Sequence, residues 1–125
     1  MKDYIEKALR TEKYDENIKE RLTSPRSIRL IHSIMGMQTE SAEFTDTIKK
    51  HVFYGKEIDT VNLEEELGDL MWYIAVACDE LWVSFADICR KNIEKLKLRY
   101  PGEFTQEKAL NRDIEAERQL LEKDV

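Results

Sequence analysis

Four acidic residues fall into two pairs with a shared spacing. Glu40 precedes Glu43, and Glu66 precedes Asp69, by three positions each. On a helix that spacing projects both members of a pair from one face of one turn. Two such turns facing each other set four carboxylates around a single point. Two unit charges ~4 Å apart repel by about 4 kcal/mol even at an effective dielectric of about 20, so a positive charge has to accompany them. An all-carboxylate donor set is hard, which suits Mg²⁺, with Mn²⁺ as a substitute. The pattern reads as a divalent-metal site for a phosphate-bearing substrate. Glu65, four residues before Asp69, offers either a further ligand or a base beside the metal.

The elements that must position these acids are helical. A first helix is expected over Met1 to Leu22, with Thr11 to Glu16 as a polar interruption. Ser24-Pro25 is a helix start, Ser as N-cap and Pro where its missing N–H costs nothing. The second helix runs from Pro25 to about Tyr54, with Gly55 as its stop. Leu30, Ile34, Met37, Phe44 and Ile48 form one of its apolar ridges, and Ile28, Ile31, Met35 and Ala42 another. The third ridge holds His32, Gly36, Glu40, Glu43, Thr47 and Lys50. A helix apolar on two of three sides is expected to be buried on more than one side, as a central bundle helix or at a subunit interface.

Asp59, Thr60 or Asn62 caps a third helix that runs to about Val83, and its apolar ridge of Leu63, Leu67, Leu70 and Ile74 adjoins Glu66 and Asp69. Gly68, mid-helix between the acids, implies close packing or room for a ligand. Ser84 opens a fourth helix that Pro101-Gly102 ends, with Phe85, Ile88, Cys89, Ile93 and Leu96 as core positions. Asn92, Lys95 and Arg99 form one polar ridge of that helix. A last, mostly polar helix follows from Thr105. The fold class is therefore all-α, a four-helix-bundle-like core with an additional C-terminal helix.

Composition narrows the function classes. At 125 residues the chain is expected to be a single domain over 1–125. Net charge is −6 and no Lys/Arg stripe is dense enough for duplex binding, so a nucleic-acid polymer is not an expected partner. No apolar run of about 18 residues occurs, so no membrane span is expected. Cys78 and Cys89 lie in apolar helical patterns and read as buried free thiols of a reducing compartment, which makes the expected location cytoplasmic. Di-iron bundles need Glu-x-x-His pairs, and neither His32 nor His51 lies three residues after an acid. His32 shares the ridge of Glu40 and serves either the pocket or the packing. Trp72, Tyr73 and Trp82 read as core or interface aromatics, with stacking on a base as the alternative.

Glu40-Ser41-Ala42-Glu43, then 22 residues, then Glu66-Leu67-Gly68-Asp69, resembles the acidic signature of the MazG-like all-α nucleoside triphosphate pyrophosphohydrolases. Asn92, Lys95 and Arg99, followed by Tyr100-Pro101, resemble that family's downstream motif. Many members carry a further Glu where Thr39 stands here. The resemblance implies that Glu40, Glu43, Glu66 and Asp69 coordinate Mg²⁺, with Glu66 beside Glu65 at the centre of catalysis and Glu65 activating the attacking water. Lys95 and Arg99 then hold the triphosphate, Lys50 adds to them, and Asn92 bonds sugar or phosphate. The implied reaction cleaves the α–β phosphoanhydride of a nucleoside triphosphate to the monophosphate and pyrophosphate, clearing damaged or surplus nucleotides. Members assemble as homodimers or dimers of dimers, so a homo-oligomer is expected. Base-specific dUTP or dCTP hydrolysis is the narrower alternative, and a non-catalytic helical interaction module with solvated acids is the competing class.

Overall fold

The computed structural model describes residues 2–13 and 15–123, and every regular element among them is an α-helix. They are α1 (Lys2–Leu9), α2 (Asn17–Leu22), α3 (Pro25–Tyr54), α4 (Thr60–Leu81), α5 (Phe85–Arg99), α6 (Gln106–Leu110) and α7 (Ile114–Glu122). None is long and apolar enough to cross a membrane. The chain divides into two compact units, Met1–Glu80 and Leu81–Val125.

The first unit is organised by α3 and α4. Ser24 caps α3, its side chain accepting from the Ser27 N–H at 3.1 Å, and Pro25 occupies the first turn. Gly55 ends the helix at φ 63°, where the Lys56 N–H returns to the Lys50 carbonyl at 3.2 Å. Only a residue without Cβ adopts that left-handed turn at no steric cost. Asp59 caps α4 by accepting from the Asn62 N–H at 3.1 Å. Arg29 near the start of α3 meets Asp79 and Glu80 at the end of α4, at 2.7 and 3.1 Å. Thr47 near the end of α3 meets Asn62 at the start of α4. The two helices are therefore an antiparallel hairpin. Between these ends Tyr73 lies over Gly36, where a Cβ would fall 2.1 Å from the ring.

In the second unit Ser84 caps α5 and Asp113 caps α7, accepting from the N–H of Asp87 and Ala116. Arg99 on α5 reaches Glu117 on α7, and the Lys91 ammonium donates to the Leu121 carbonyl at 3.2 Å.

Several expectations need correction. The first helix is divided into α1 and α2 at the polar interruption that the sequence suggested, and Met1 lies outside the described residues. The α4 helix stops at Leu81 rather than Val83, and Trp82 takes the left-handed position at φ 57°. The tail breaks into α6 and α7, since Asp113 supplies a fresh cap. The flanks of α3 are half-buried at Leu30, Ile31, Met37, Phe44 and Ile48 and open at Ile34 (55% exposed) and Met35 (61%), and only Ser33, Gly36 and Thr47 are buried, so α3 is not a fully enclosed helix within the chain. Cys78 is buried as expected, but Cys89 is exposed, as are Phe85, Ile88 and Ile93 on the same helix. Trp72 is exposed and Trp82 is 94% exposed, so neither is a core residue of the chain. Gly68 meets nothing within 4 Å, and the close helix approach occurs at Gly36 instead.

Candidate metal centre

Glu40, Glu43 and Glu66 each bring one carboxylate oxygen into a cluster whose atoms all lie within 4.8 Å of one another. The i, i+3 pair on α3 supplies two of them, and α4 turns Glu66 toward that pair. Glu66 is 4% exposed, Glu40 is half-buried and Glu43 is exposed. Burial therefore rises from the rim of the cluster to its α4 side. Among the described residues no Lys or Arg forms an ion pair with any of the three.

Burial pushes the Glu66 carboxyl above the usual carboxylate range. A hydrogen bond from the Asn62 amide opposes the rise, and the negative charges of Glu43 and Glu40 add to it. Asn62 Nδ2 donates to Glu66 Oε1 at 2.8 Å, while Asn62 Oδ1 accepts from the Thr47 hydroxyl. Glu40 also accepts from the Thr39 hydroxyl at 3.1 Å. The cluster opens into a cleft of about 290 Å³ lined by Glu43, Asp46, Thr47, Lys50, Asn62 and Glu66.

The other candidates separate into two groups. Asp69 is exposed and lies outside the three-carboxylate cluster. Glu65 lines a larger cavity of about 670 Å³ together with Lys50, Lys56, Glu57 and Asp59. Thr47, Lys50 and Asn62 belong to both hollows. Lys50 pairs with Asp46 at 2.8 Å, which raises the ammonium pKa and lowers that of the carboxyl. His32 lines neither hollow; its ring stands edge-on to Trp72 and Tyr73 with centroids 6.2 and 5.6 Å away.

In the second unit Asn92 and Lys95 line a cavity of about 360 Å³ with Ile88, Cys89, Lys91 and Leu121. Arg99 makes a two-pronged ion pair with Glu117, from Nε at 2.7 Å and Nη2 at 2.6 Å. Arg112 adds a third bond to the same carboxylate at 2.8 Å. These guanidinium contacts hold the Glu117 pKa down at about 2 and raise that of Arg99. The guanidinium also lies by the Tyr100 ring, 5.9 Å from its centroid.

Sequence reasoning set Asn62 on the ridge of Glu66 and Asp69 but gave it no role beyond a possible cap, and it missed Glu117 entirely. Each left a signal. Asn62 stands four residues before Glu66, one turn up the same face. Glu117 falls on the stripe of Ile114, Leu120 and Leu121, where an acid on an apolar face calls for a buried partner.

Comparison with known proteins identifies the family. Residues 31–104 match the MazG nucleotide pyrophosphohydrolase domain, and the chain belongs to that family. The match takes in the four paired acids, Glu65, Lys50, Asn92, Lys95 and Arg99. The chain is also similar to the Gene 37 protein of Mycobacterium phage L5, 31% identical over 74 residues. That alignment covers 56% of this chain and 65% of the phage protein, somewhat under two thirds of the relative's length. No solved structure matches the chain.

Proposed function

We propose that the protein hydrolyses nucleoside triphosphates, deoxynucleotides included, at the α–β phosphoanhydride, releasing nucleoside monophosphate and pyrophosphate. The observation that carries this reading is the convergence of Glu40, Glu43 and Glu66 within 4.8 Å in a chain of the MazG family. The donor set fits a small hard dication. Oxygens on opposite sides of Mg²⁺ lie about 4.2 Å apart, twice its ~2.1 Å bond length, and carboxylate is the ligand type it prefers. Glu40, Glu43 and Glu66 would hold Mg²⁺ or Mn²⁺, and Asp69, three residues beyond Glu66, offers a fourth carboxylate. When bound, the ion supplies Lewis acidity toward phosphate oxygens and water.

The side chains do the rest. Glu65 accepts the proton of the attacking water as a new P–O bond forms and the bridging P–O bond breaks. Lys50, at the junction of the two hollows, balances charge on the phosphate chain. In the second unit Asn92, Lys95 and Arg99 would offer a hydrogen bond and cations to sugar or phosphate. Clearance of damaged or surplus nucleotides is the corresponding role. The exposed apolar side chains of α3, such as Ile34 and Met35, support assembly of copies into a homodimer or a dimer of dimers.

Screening canonical and oxidised dNTPs with Mg²⁺ for phosphorus products tests the reading. Pyrophosphate release that disappears in Glu66→Gln supports it, and the ranking of dUTP and dCTP against the others reveals any base preference. Orthophosphate release moves the cleaved bond to β–γ and overturns the reaction assignment. No product from any nucleotide leaves the chain a non-catalytic helical module.

A further inference from the structure

The buried carboxylate of Glu66 is held from behind. Asn62 sits four residues earlier on α4 and is released from capping its own helix, because Asp59 caps it. Its amide is polarised in one direction. Oδ1 accepts from the Thr47 hydroxyl on α3, and Nδ2 donates to Glu66 Oε1 at 2.8 Å. An amide nitrogen only donates and an amide oxygen only accepts. A flipped Asn62 would set its oxygen against a carboxylate oxygen, so Glu66 itself selects the observed orientation. Thr47 is 7% exposed, which shields the far end of the relay from competing water.

We propose that Asn62, anchored by Thr47, is a positioning residue that fixes the Glu66 carboxylate for cation capture and locks α4 in register with the α3 acids. The inference rests on the metal-site reading given above. Its physical content is preorganisation. A glutamate has several rotatable bonds, and a carboxylate already oriented by an amide loses less freedom when it takes up a cation. The relay also crosses from α3 to α4, so the element carrying Glu66 is tied directly to the one carrying Glu40 and Glu43. Thr47 lies four residues beyond Glu43, on the same face of α3.

Mn²⁺ titration of the full chain, followed by the EPR signal of the free ion, tests this with Asn62→Leu and Thr47→Val. Both variants keep the side-chain shape and remove the hydrogen bonds. Circular dichroism and a melting curve without metal accompany each titration. Asn62→Leu is expected to weaken Mn²⁺ binding about 10- to 100-fold, and Thr47→Val by a smaller factor, with helical content retained. Should Asn62→Leu fail to fold, Thr47→Val, which loses a single hydroxyl, decides alone. Lowered melting with Mn²⁺ affinity unchanged from wild type makes the relay a packing feature and overturns the proposal. Weakening by Asn62→Leu with none by Thr47→Val overturns the anchoring role of Thr47. No Mn²⁺ capture by the wild type overturns the metal reading itself, a result distinct from equal capture by wild type and variants.

Discussion

Glu66 on α4 and Glu117 on α7 are buried to nearly the same depth, 4% and 5% exposed, yet their carboxyls are shifted in opposite directions. Glu117 receives Arg99 on both oxygens and Arg112 on one, and its pKa falls to about 2. Glu66 receives one neutral amide and faces two further glutamates, and its pKa rises. Burial sets how strongly each group feels its surroundings; the partner sets the sign. One buried acid is satisfied by the chain's own cations. The other is given no cation by the described residues, and that asymmetry is what the proposed metal site rests on.

Removing the charges one at a time should pull the two regions further apart. Glu66→Gln keeps the acceptor for Asn62 but takes one ligand from the cluster, so turnover should fall on the order of 10³-fold, as a pyrophosphate assay would show. Equal turnover would move the chemistry elsewhere.

Glu117→Ala should act on the fold instead. It strands Arg99, which is 15% exposed at its side chain, and should lower the melting temperature by more than about 10 °C. The same residue predicts an acid limb. A carboxyl whose pKa drops from about 4.5 to about 2 on folding contributes stability above pH 4.5, and that contribution disappears as pH falls toward 2. Glu117→Gln should flatten that limb in pH-dependent melting; an unchanged limb would assign acid sensitivity to other carboxylates.

Arg29→Ala supplies the weak end of the scale. Arg29 is 45% and Asp79 71% exposed, and only Glu80 is sheltered at 15%, so a loss of a few degrees, well short of that for Glu117→Ala, is expected. A loss matching that of Glu117→Ala would mean that these ion pairs, not packing, hold the α3–α4 hairpin.

Much of this was legible in the residues because helical periodicity is local. Ser24-Pro25 and Gly55 bracket α3 as expected, since cap and stop chemistry depends on the adjacent turn alone. The i, i+3 acids pointed to the cluster for the same reason, and Glu40, Glu43 and Glu66 do converge. Asp69 does not join them, because identical spacing on α4 leaves open which of two carboxylates turns toward α3. The Arg99–Glu117 pair was not legible, because the two residues lie 18 positions apart on different helices and contacts of that range carry no periodic signature. The α3 flanks are only partly covered within the chain, because an apolar ridge states that something covers it, not that the same chain does.

If the carboxylates of Glu40, Glu43 and Glu66 repel one another until a dication joins them, melting wild type and Glu66→Gln in EDTA, and again in millimolar Mn²⁺, gives a crossing. The variant then melts higher in EDTA, where one like charge has been removed, and the wild type melts higher with Mn²⁺. A variant that melts lower in EDTA and shifts with Mn²⁺ as far as the wild type would mean that no cation is held between these acids.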